Sequence, residues 1–405
     1  MMKKDIVMVL NYAPAPNIDK DNDRVLSIID LLVSKGFDVE LVTSDFSHGD
    51  KKPKDIARED LDKLNYKYTM LHEPPYYKNV SIKRFLAHAR LAKNVGKYLE
   101  KRKKPDLIFT VTTSTAVGYV AAKYAKKNDI PLVIDVQDLW PEAFKMIIPV
   151  KSIADVLFFR EQQKANFIYR SADGIVGVSH EYVDRALKEN NHINNGLSVY
   201  LGTSLDRFDS YAEQSSIVKP DSEFWVVYIG TLGTSYNIKG IIDSFVELKK
   251  KGRNDIKLKV LGDGPLKNEF VEYAKDKAVE CEFLGLMPYS EMVKYIVKCD
   301  IAVNPIVSTS AASIINKVAD YAAAGLPVIS TLRSKEYKDL LVYYNAGYSF
   351  DNNQHQEIAQ AIEKLADDSE LCKTMGEGSR KLAEELFDRK KTYPSIVDMI
   401  EKLSR

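Results

Sequence analysis

Ile6-Val7-Met8-Val9-Leu10 is a short apolar run, and Val25, Ile28, Ile29 and Leu32 then recur at helical spacing across residues 24–35. Gly36 stops that pattern, and Val39-Glu40-Leu41-Val42-Thr43 is apolar again. The stretch reads as strand, helix, terminal glycine, strand. The same unit recurs downstream. Leu107-Ile108-Phe109-Thr110-Val111 leads into a helical pattern over 115–127, and Pro131-Leu132-Val133-Ile134-Asp135 follows. Gly174-Ile175-Val176-Gly177-Val178 comes after a helix predicted over 153–170. Apolar strands alternating with helices predict a parallel sheet covered on both faces.

The second half repeats this grammar. Trp225-Val226-Val227-Tyr228-Ile229-Gly230, residues 256–261, Glu282-Phe283-Leu284, Asp300-Ile301-Ala302-Val303-Asn304-Pro305 and Pro327-Val328-Ile329-Ser330 are predicted strands. Helices are predicted between them over 239–250, 265–277, 289–298 and 313–324. The polar stretch 206–222 reads as a linker. Two doubly wound, Rossmann-like α/β domains facing across a cleft are expected, divided at 208/209. Open sheets of this kind bind ligands at the C-terminal ends of their strands.

Composition narrows the function classes. The chain has 405 residues, 45% hydrophobic and 28% charged, which excludes disorder and collagen-like architecture. Fifty-eight basic residues face 57 acidic ones, a balance unlike that of a dedicated nucleic-acid binder. Cys281, Cys299 and Cys372 are too scattered for a metal site or a disulfide framework and favour a reducing compartment. No apolar run is long enough to span a membrane, and the first apolar segment is too short for a signal peptide, so a cytoplasmic location is expected.

Three segments carry candidate chemistry. In Asn316-Lys317-Val318-Ala319-Asp320-Tyr321, Lys317 and Asp320 fall on one helix face. Ser308-Thr309-Ser310 is a polar loop that leads into that helix, whose N-terminus suits a phosphate. Lys317 would add charge, and Asp320 would accept from ribose hydroxyls; a solvated ion pair is the alternative. Gly230-Thr231-Leu232-Gly233-Thr234-Ser235-Tyr236 is either a diphosphate-cradling loop or an ordinary turn, with Lys239 as a further cation. Gly262-Asp263-Gly264-Pro265 is either a tight turn or a wall of a base pocket. At the end of a first-half strand, Asp138, Trp140 and Glu142 fit acceptor recognition, with Asp138 orienting or deprotonating a hydroxyl; a loop-packed Trp140 and a helix-capping Asp138 are the alternative. The loop before the first helix holds Asp23 and Arg24. Residues 81–104 form a basic helix with an apolar side, which is either a solvated domain helix or a surface for anionic lipid headgroups.

These pieces, in this order, resemble the retaining GT-B glycosyltransferases of family four. Asn316-Lys317-Val318-Ala319-Asp320-Tyr321-Ala322-Ala323-Ala324-Gly325-Leu326-Pro327-Val328-Ile329 resembles the end of that family's sugar-nucleotide site. Asp135-Val136-Gln137-Asp138-Leu139-Trp140-Pro141-Glu142 resembles a subgroup element found in bacterial surface-polysaccharide enzymes. Tyr228-Ile229-Gly230-Thr231 and Leu261-Gly262-Asp263-Gly264-Pro265 resemble the opening of the C-terminal domain and its glycine turn. The chain departs from the pattern at Thr231, where an arginine is usual, and at Ala312, where an earlier acidic residue is usual.

The resemblance implies sugar transfer from a nucleotide diphosphate-sugar, with uridine suggested by the subgroup. Transfer would be retaining and need neither metal nor cofactor. The acceptor would be a glycan or polyprenyl-diphosphate-linked hydroxyl. Asp138, Lys317 and Lys239 are then the catalytic candidates. Gly230, Thr231, Gly233, Ser235, Tyr236, Gly262, Gly264, Pro265, Ser313, Asn316 and Asp320 would hold the donor. Trp140, Glu142, Asp23 and Arg24 would hold the acceptor. The C-terminal segment 386–405 would pack back on the first domain, and the basic helix would meet the inner leaflet. A nucleotide-sugar epimerase or phosphorylase, or a non-catalytic partner subunit, would share the fold.

Overall fold

Residues 3–15, 23–78, 81–145, 151–307 and 314–404 are described by the computed structural model. The chain divides into two compact units, Met1–Tyr200 with Thr392–Arg405, and Leu201–Lys391.

The first unit begins with β1 (Asp5–Val9), α1 (Arg24–Ser34) and β2 (Asp38–Ser44). A small antiparallel pair, β3 (Phe46–Ser47) and β4 (Lys52–Pro53), α2 (Arg58–Asp62) and β5 (Lys67–Leu71) follow. Then come α3 (Ile82–Lys101), β6 (Leu107–Val111), α4 (Thr115–Lys127) and β7 (Leu132–Val136). The remainder is α5 (Glu142–Lys145), α6 (Lys151–Leu157), α7 (Phe159–Ser171), β8 (Gly174–Gly177), α8 (His180–Leu187) and β9 (Leu197–Ser198). The strands pair in parallel in the order β5-β2-β1-β6-β7-β8-β9. Strand β1 is central because Ile6, Val7, Met8 and Val9 are all buried, as a strand covered on both faces requires. Helix α1 turns Val25, Leu26, Ile28, Ile29 and Leu32 into the core, and the Asp23 carboxylate caps it by accepting from Leu26 N–H at 2.9 Å.

The second unit runs α9 (Leu205–Ala212), β10 (Phe224–Ile229), α10 (Ile238–Lys250), β11 (Ile256–Leu261), α11 (Lys267–Asp276) and β12 (Cys281–Gly285). It continues with α12 (Tyr289–Ile296), β13 (Ile301–Asn304), α13 (Asn316–Ala323), β14 (Val328–Ser330), α14 (Lys335–Tyr343) and β15 (Gly347–Ser349). Helices α15 (His355–Asp367) and α16 (Ser369–Leu382), a π-helical turn (Ala383–Phe387) and α17 (Arg389–Thr392) complete it. Its parallel order is β12-β11-β10-β13-β14-β15. The last helix, α18 (Pro394–Leu403), belongs to the first unit. Tyr393, Ile396, Val397 and Ile400 join the core cluster that holds α1, each contributing about 1.5–3 kcal/mol by burial.

The structure differs from the sequence reading in several places. The division falls at Tyr200/Leu201 and Lys391/Thr392 rather than at 208/209 and 386. The expected linker contains α9, which Leu205 and Phe208 anchor in the core from one helical face. The helix expected over 153–170 is broken into α6 and α7 at Phe158. Strand β5 was not expected, because an edge strand is only half-buried and lacks a clear apolar run.

Arg24 locks the first unit. Its guanidinium donates to both Asp135 oxygens (2.8 and 3.1 Å) and to the carbonyls of Val199 and Tyr200 (2.9 and 3.0 Å). The pair is 4% and 0% exposed, and a desolvated pair holds only while both charges remain. Arg24→Met should therefore lose about 3–5 kcal/mol in urea unfolding, and Arg24→Met with Asp135→Leu should lose less than the single change. Equal or additive losses would contradict this.

Candidate functional site

The second unit's chain leaves β10, builds β11 and β12 on one side, then crosses to β13 on the other. The switch point therefore lies between the ends of β10 and β13. A cavity of about 470 Å³ opens there, lined by Gly230, Thr231, Tyr236, Asn316, Lys317 and Asp320 among others. Two glycines let its walls close. Gly262 has φ +147°, and a Cβ on it would lie 1.9 Å from the Gly230 carbonyl oxygen. A Cβ on Gly230 would lie 2.6 Å from Lys317 Nζ. At Gly262 backbone must approach backbone, which only glycine permits.

Lys317 dominates the cavity. It is the second residue of α13, 8% exposed, and its Nζ has no hydrogen-bond partner among the described residues. Nζ lies 4.2 Å from the ring centroid of Tyr228 and 3.9 Å from that of Tyr236. Desolvation holds its pKa well below the ordinary lysine value. Asp320, one turn on, is also buried and accepts from Tyr289 Oη at 2.8 Å. Burial pushes its carboxyl up to about 6, against the hydrogen bond from Tyr289, the charge of Arg389 and the Thr203 hydroxyl. Tyr289 Oη also meets Thr203 Oγ1 at 2.9 Å. A solvated Lys317–Asp320 ion pair is thus overturned, since both side chains are buried and face different partners.

The structure brings Gly230, Thr231, Tyr236, Gly262, Asn316, Lys317 and Asp320 to one cavity. It does not bring Lys239 there: Lys239 Nζ pairs with Glu269 at 2.6 Å and lies over Tyr273. Gly233, Ser235, Gly264 and Pro265 are likewise absent from the lining. Gly264 instead makes room for the Leu232 carbonyl, 2.4 Å from where its Cβ would be. Ser235 offers its carbonyl to Val307 N–H. Pro265 is exposed in the turn before α11. Ser308-Thr309-Ser310 and Ser313 lie outside the described residues. Sequence reasoning missed Leu286, Met287 and Met292, an apolar wall of the same cavity. Leu286 is 83% exposed. The available signal was an apolar pair placed directly after a predicted strand.

Two family models match the chain. Glycosyltransferase Family 4 matches residues 23–196, and Glycosyl transferases group 1 matches residues 209–382. This chain belongs to the GT-B glycosyltransferases. Its glycosyltransferase relatives include the uncharacterized MJ1178 of Methanocaldococcus jannaschii, 21% identical over 87% of this chain and 92% of that protein. Sucrose-phosphate synthase (tll1590) from Thermosynechococcus elongatus shares the fold with a TM-score of 0.76 at 15% identity, covering 99% of both chains. Anabaena Alr3699/HepE, solved in complex with UDP, gives 0.71 at 15% identity over 99% of this chain and 100% of that one.

In this glycosyltransferase's first unit, several expected acceptor contacts have structural duties instead. Arg24 is consumed by Asp135 and two carbonyls, and Asp23 caps α1. Trp140 is 7% exposed, with the Arg84 guanidinium 4.8 Å from its ring centroid and His88 beside it, so it offers no open platform. Glu142 accepts from Arg185 at 2.7 Å and Gln162 at 3.2 Å. Asp138 alone of this group is exposed. Its carboxyl is nevertheless packed round by protein, and that desolvation pushes its pKa up, opposed by a hydrogen bond from Trp140 and by the charge of Arg84.

Burying Lys317 without a partner costs stability. Its folded pKa is depressed, so between that value and 10.5 the unfolded chain binds more protons and stability rises with pH. Lys317→Met should raise stability by about 1–3 kcal/mol at pH 7 and by less at pH 9, as read by urea unfolding. A destabilised variant, or a gap that widens with pH, would contradict this reading of the site.

Proposed function

We propose that this glycosyltransferase moves a hexosyl or N-acetylhexosaminyl group from a UDP-sugar to a hydroxyl of a glycan or polyprenyl-diphosphate-linked glycan. Transfer retains anomeric configuration and needs neither metal nor added cofactor. The observation that carries this reading is Lys317, a desolvated amine with no hydrogen-bond partner among the described residues, at the switch point of the second unit. A diphosphate is the partner it lacks. The N-terminal N–H groups of α13 and the Thr231 N–H add donors to the same ligand. Asp320 suits ribose hydroxyls, and the Leu286, Met287 and Met292 wall suits the flat base. Uridine is supported by Alr3699/HepE, which is described in complexes with UDP and UDP-glucose.

In the proposed step the bond between the anomeric carbon and the β-phosphate oxygen breaks. The acceptor oxygen bonds to that carbon from the same face, and its proton leaves on the departing diphosphate. Lys317 and the backbone amides stabilise the charge that develops on that leaving group. Asp138, exposed at the end of β7, orients the acceptor hydroxyl.

No helix among the described residues is long and apolar enough to cross a membrane. Helix α3 buries Leu91, Val95 and Leu99 and exposes Ile82 and Leu86 beside Lys83, Arg90, Lys93 and Lys97. That face fits an anionic bilayer surface, and we place the enzyme in the cytoplasm at the inner leaflet.

Calorimetry with UDP tests the donor assignment. The wild-type chain should bind UDP equally well with and without EDTA, and Lys317→Met should weaken binding about 100-fold, as loss of a charge-assisted contact predicts. No binding by the wild type, dependence on a divalent ion, or unchanged affinity in the variant would each refute part of the proposal.

A further inference from the structure

Asp320 lines the donor cavity from α13, but its support comes from two other stretches of the second unit. Tyr289, the first residue of α12, reaches it with the phenol. Tyr289 Oη lies 2.8 Å from Asp320 Oδ1 and 2.9 Å from Thr203 Oγ1. A phenol has one proton to give. Burial and the Asp320 charge push the Tyr289 pKa up, so that proton stays on the oxygen and is donated to the carboxylate. Thr203 then donates to Tyr289 Oη. The order is hydroxyl, phenol, carboxylate.

Each member of this series is fixed by its own element. Asp320 and Thr203 are both buried. Thr203 N–H donates to the Phe387 carbonyl at 2.8 Å, and the Thr203 carbonyl accepts from Arg389 N–H at 3.1 Å. Arg389 Nε donates to the Leu201 carbonyl at 3.0 Å. Thr203 is therefore pinned where the first stretch of the second unit meets its last. Tyr289 is held by α12, which sinks Val293 and Ile296 into the core, and by Tyr211 of α9, whose ring meets it edge-on with centroids 6.3 Å apart. The same helix supplies Met292 to the cavity wall.

We propose that Tyr289 is a positioning residue: anchored by Thr203, it holds the Asp320 carboxylate toward vicinal hydroxyls of the ligand's ribose and so makes the cavity selective for ribonucleotides over 2′-deoxyribonucleotides. The proposal rests on the nucleotide reading above and names what sets sugar selectivity there. A carboxylate offers about four lone-pair sites. Tyr289 takes one of them, which fixes the plane of the group and leaves acceptors for two hydroxyl donors. A site built to bond a hydroxyl rejects the analogue lacking it, because a buried polar group is then left short of a partner. A carboxylate free to rotate would discriminate less, since it could turn to other donors.

The same hydrogen bond keeps the group in its acceptor form. Only the ionised carboxyl accepts at every site, and burial favours the protonated form. Burial pushes Asp320 up to about 6, while Tyr289 of α12, the charge of Arg389 in α17 and the Thr203 hydroxyl lower it. The acceptor form is therefore present above about pH 6 and lost as pH falls through that value. Without the phenol the carboxyl would rise further, and the loss would begin closer to neutrality.

Calorimetry on the full chain with UDP and 2′-deoxyuridine diphosphate as probes tests this across pH, together with carbon-13 NMR of the Asp320 carboxyl in the free chain, assigned through Asp320→Asn. The wild type should prefer UDP about tenfold at about pH 8, as a hydrogen bond to a charged group predicts, and the preference should shrink below about pH 6. Tyr289→Phe should cut the preference to about twofold, leave the affinity for the deoxy analogue unchanged, and move the Asp320 titration midpoint up by about one pH unit. Thr203→Val should move the same quantities in the same direction by less, and it decides the matter if Tyr289→Phe does not fold. Lys317→Met should weaken both nucleotides alike and keep their ratio. Equal binding of the two nucleotides by the wild type, or an unchanged preference and midpoint in the folded variants, overturns the proposal. Failure of UDP to bind at all would sink the donor assignment, and the Asp320 midpoint in Tyr289→Phe would still judge Tyr289: a rise supports the positioning role, and no change overturns it.

Discussion

A lysine amine held out of water, with no counter-charge among the described residues, is the constraint around which the second unit is arranged. Lys317 sits between the rings of Tyr228 and Tyr236, and its depressed pKa follows from desolvation alone. Such a group is unfavourable unless something else supplies the missing charge. The neighbouring backbone is shaped to the same end. Gly230 and Gly262 touch without side chains, and α13 begins at the edge of the cavity that its first turn lines. Asp320 is restrained separately, through Tyr289 and Thr203. The two cavity-lining side chains of one helix thus have independent supports.

The two units repeat one architecture. Each is a parallel sheet whose strand order reverses beside its first strand. The Arg24–Asp135 pair gives the first unit its fixed frame. It joins the start of α1 to β7 and to the chain just before the unit ends.

The doubly wound fold was legible because fully covered parallel strands are apolar runs, as in β1, β6, β7 and β10. Strand β5 and helix α9 escaped notice, since half-buried edges and short two-anchor helices leave little periodic signal. Within the donor cavity, Lys317, Asp320, Gly230 and Gly262 could be picked out because local motifs hold them. Lys239 and Arg24 could not be judged from sequence. Their partners, Glu269 and Asp135, lie far along the chain, and a charge's role depends on which partner reaches it. Trp140 failed as a platform for the same reason: Arg84 covers it from another helix. Tyr12, Glu73 and His88 are single residues on separate stretches of the chain, and only the fold brings them together.

The central claim is that Lys317 awaits a phosphate. Carbon-13 NMR of the Lys317 side chain, assigned by comparison with Lys317→Met and titrated with and without UDP, measures its charge directly. The account predicts an amine that titrates well below ordinary lysines in the free chain and becomes an ammonium when UDP binds. A lysine that titrates normally in the free chain, or one indifferent to UDP, would contradict it.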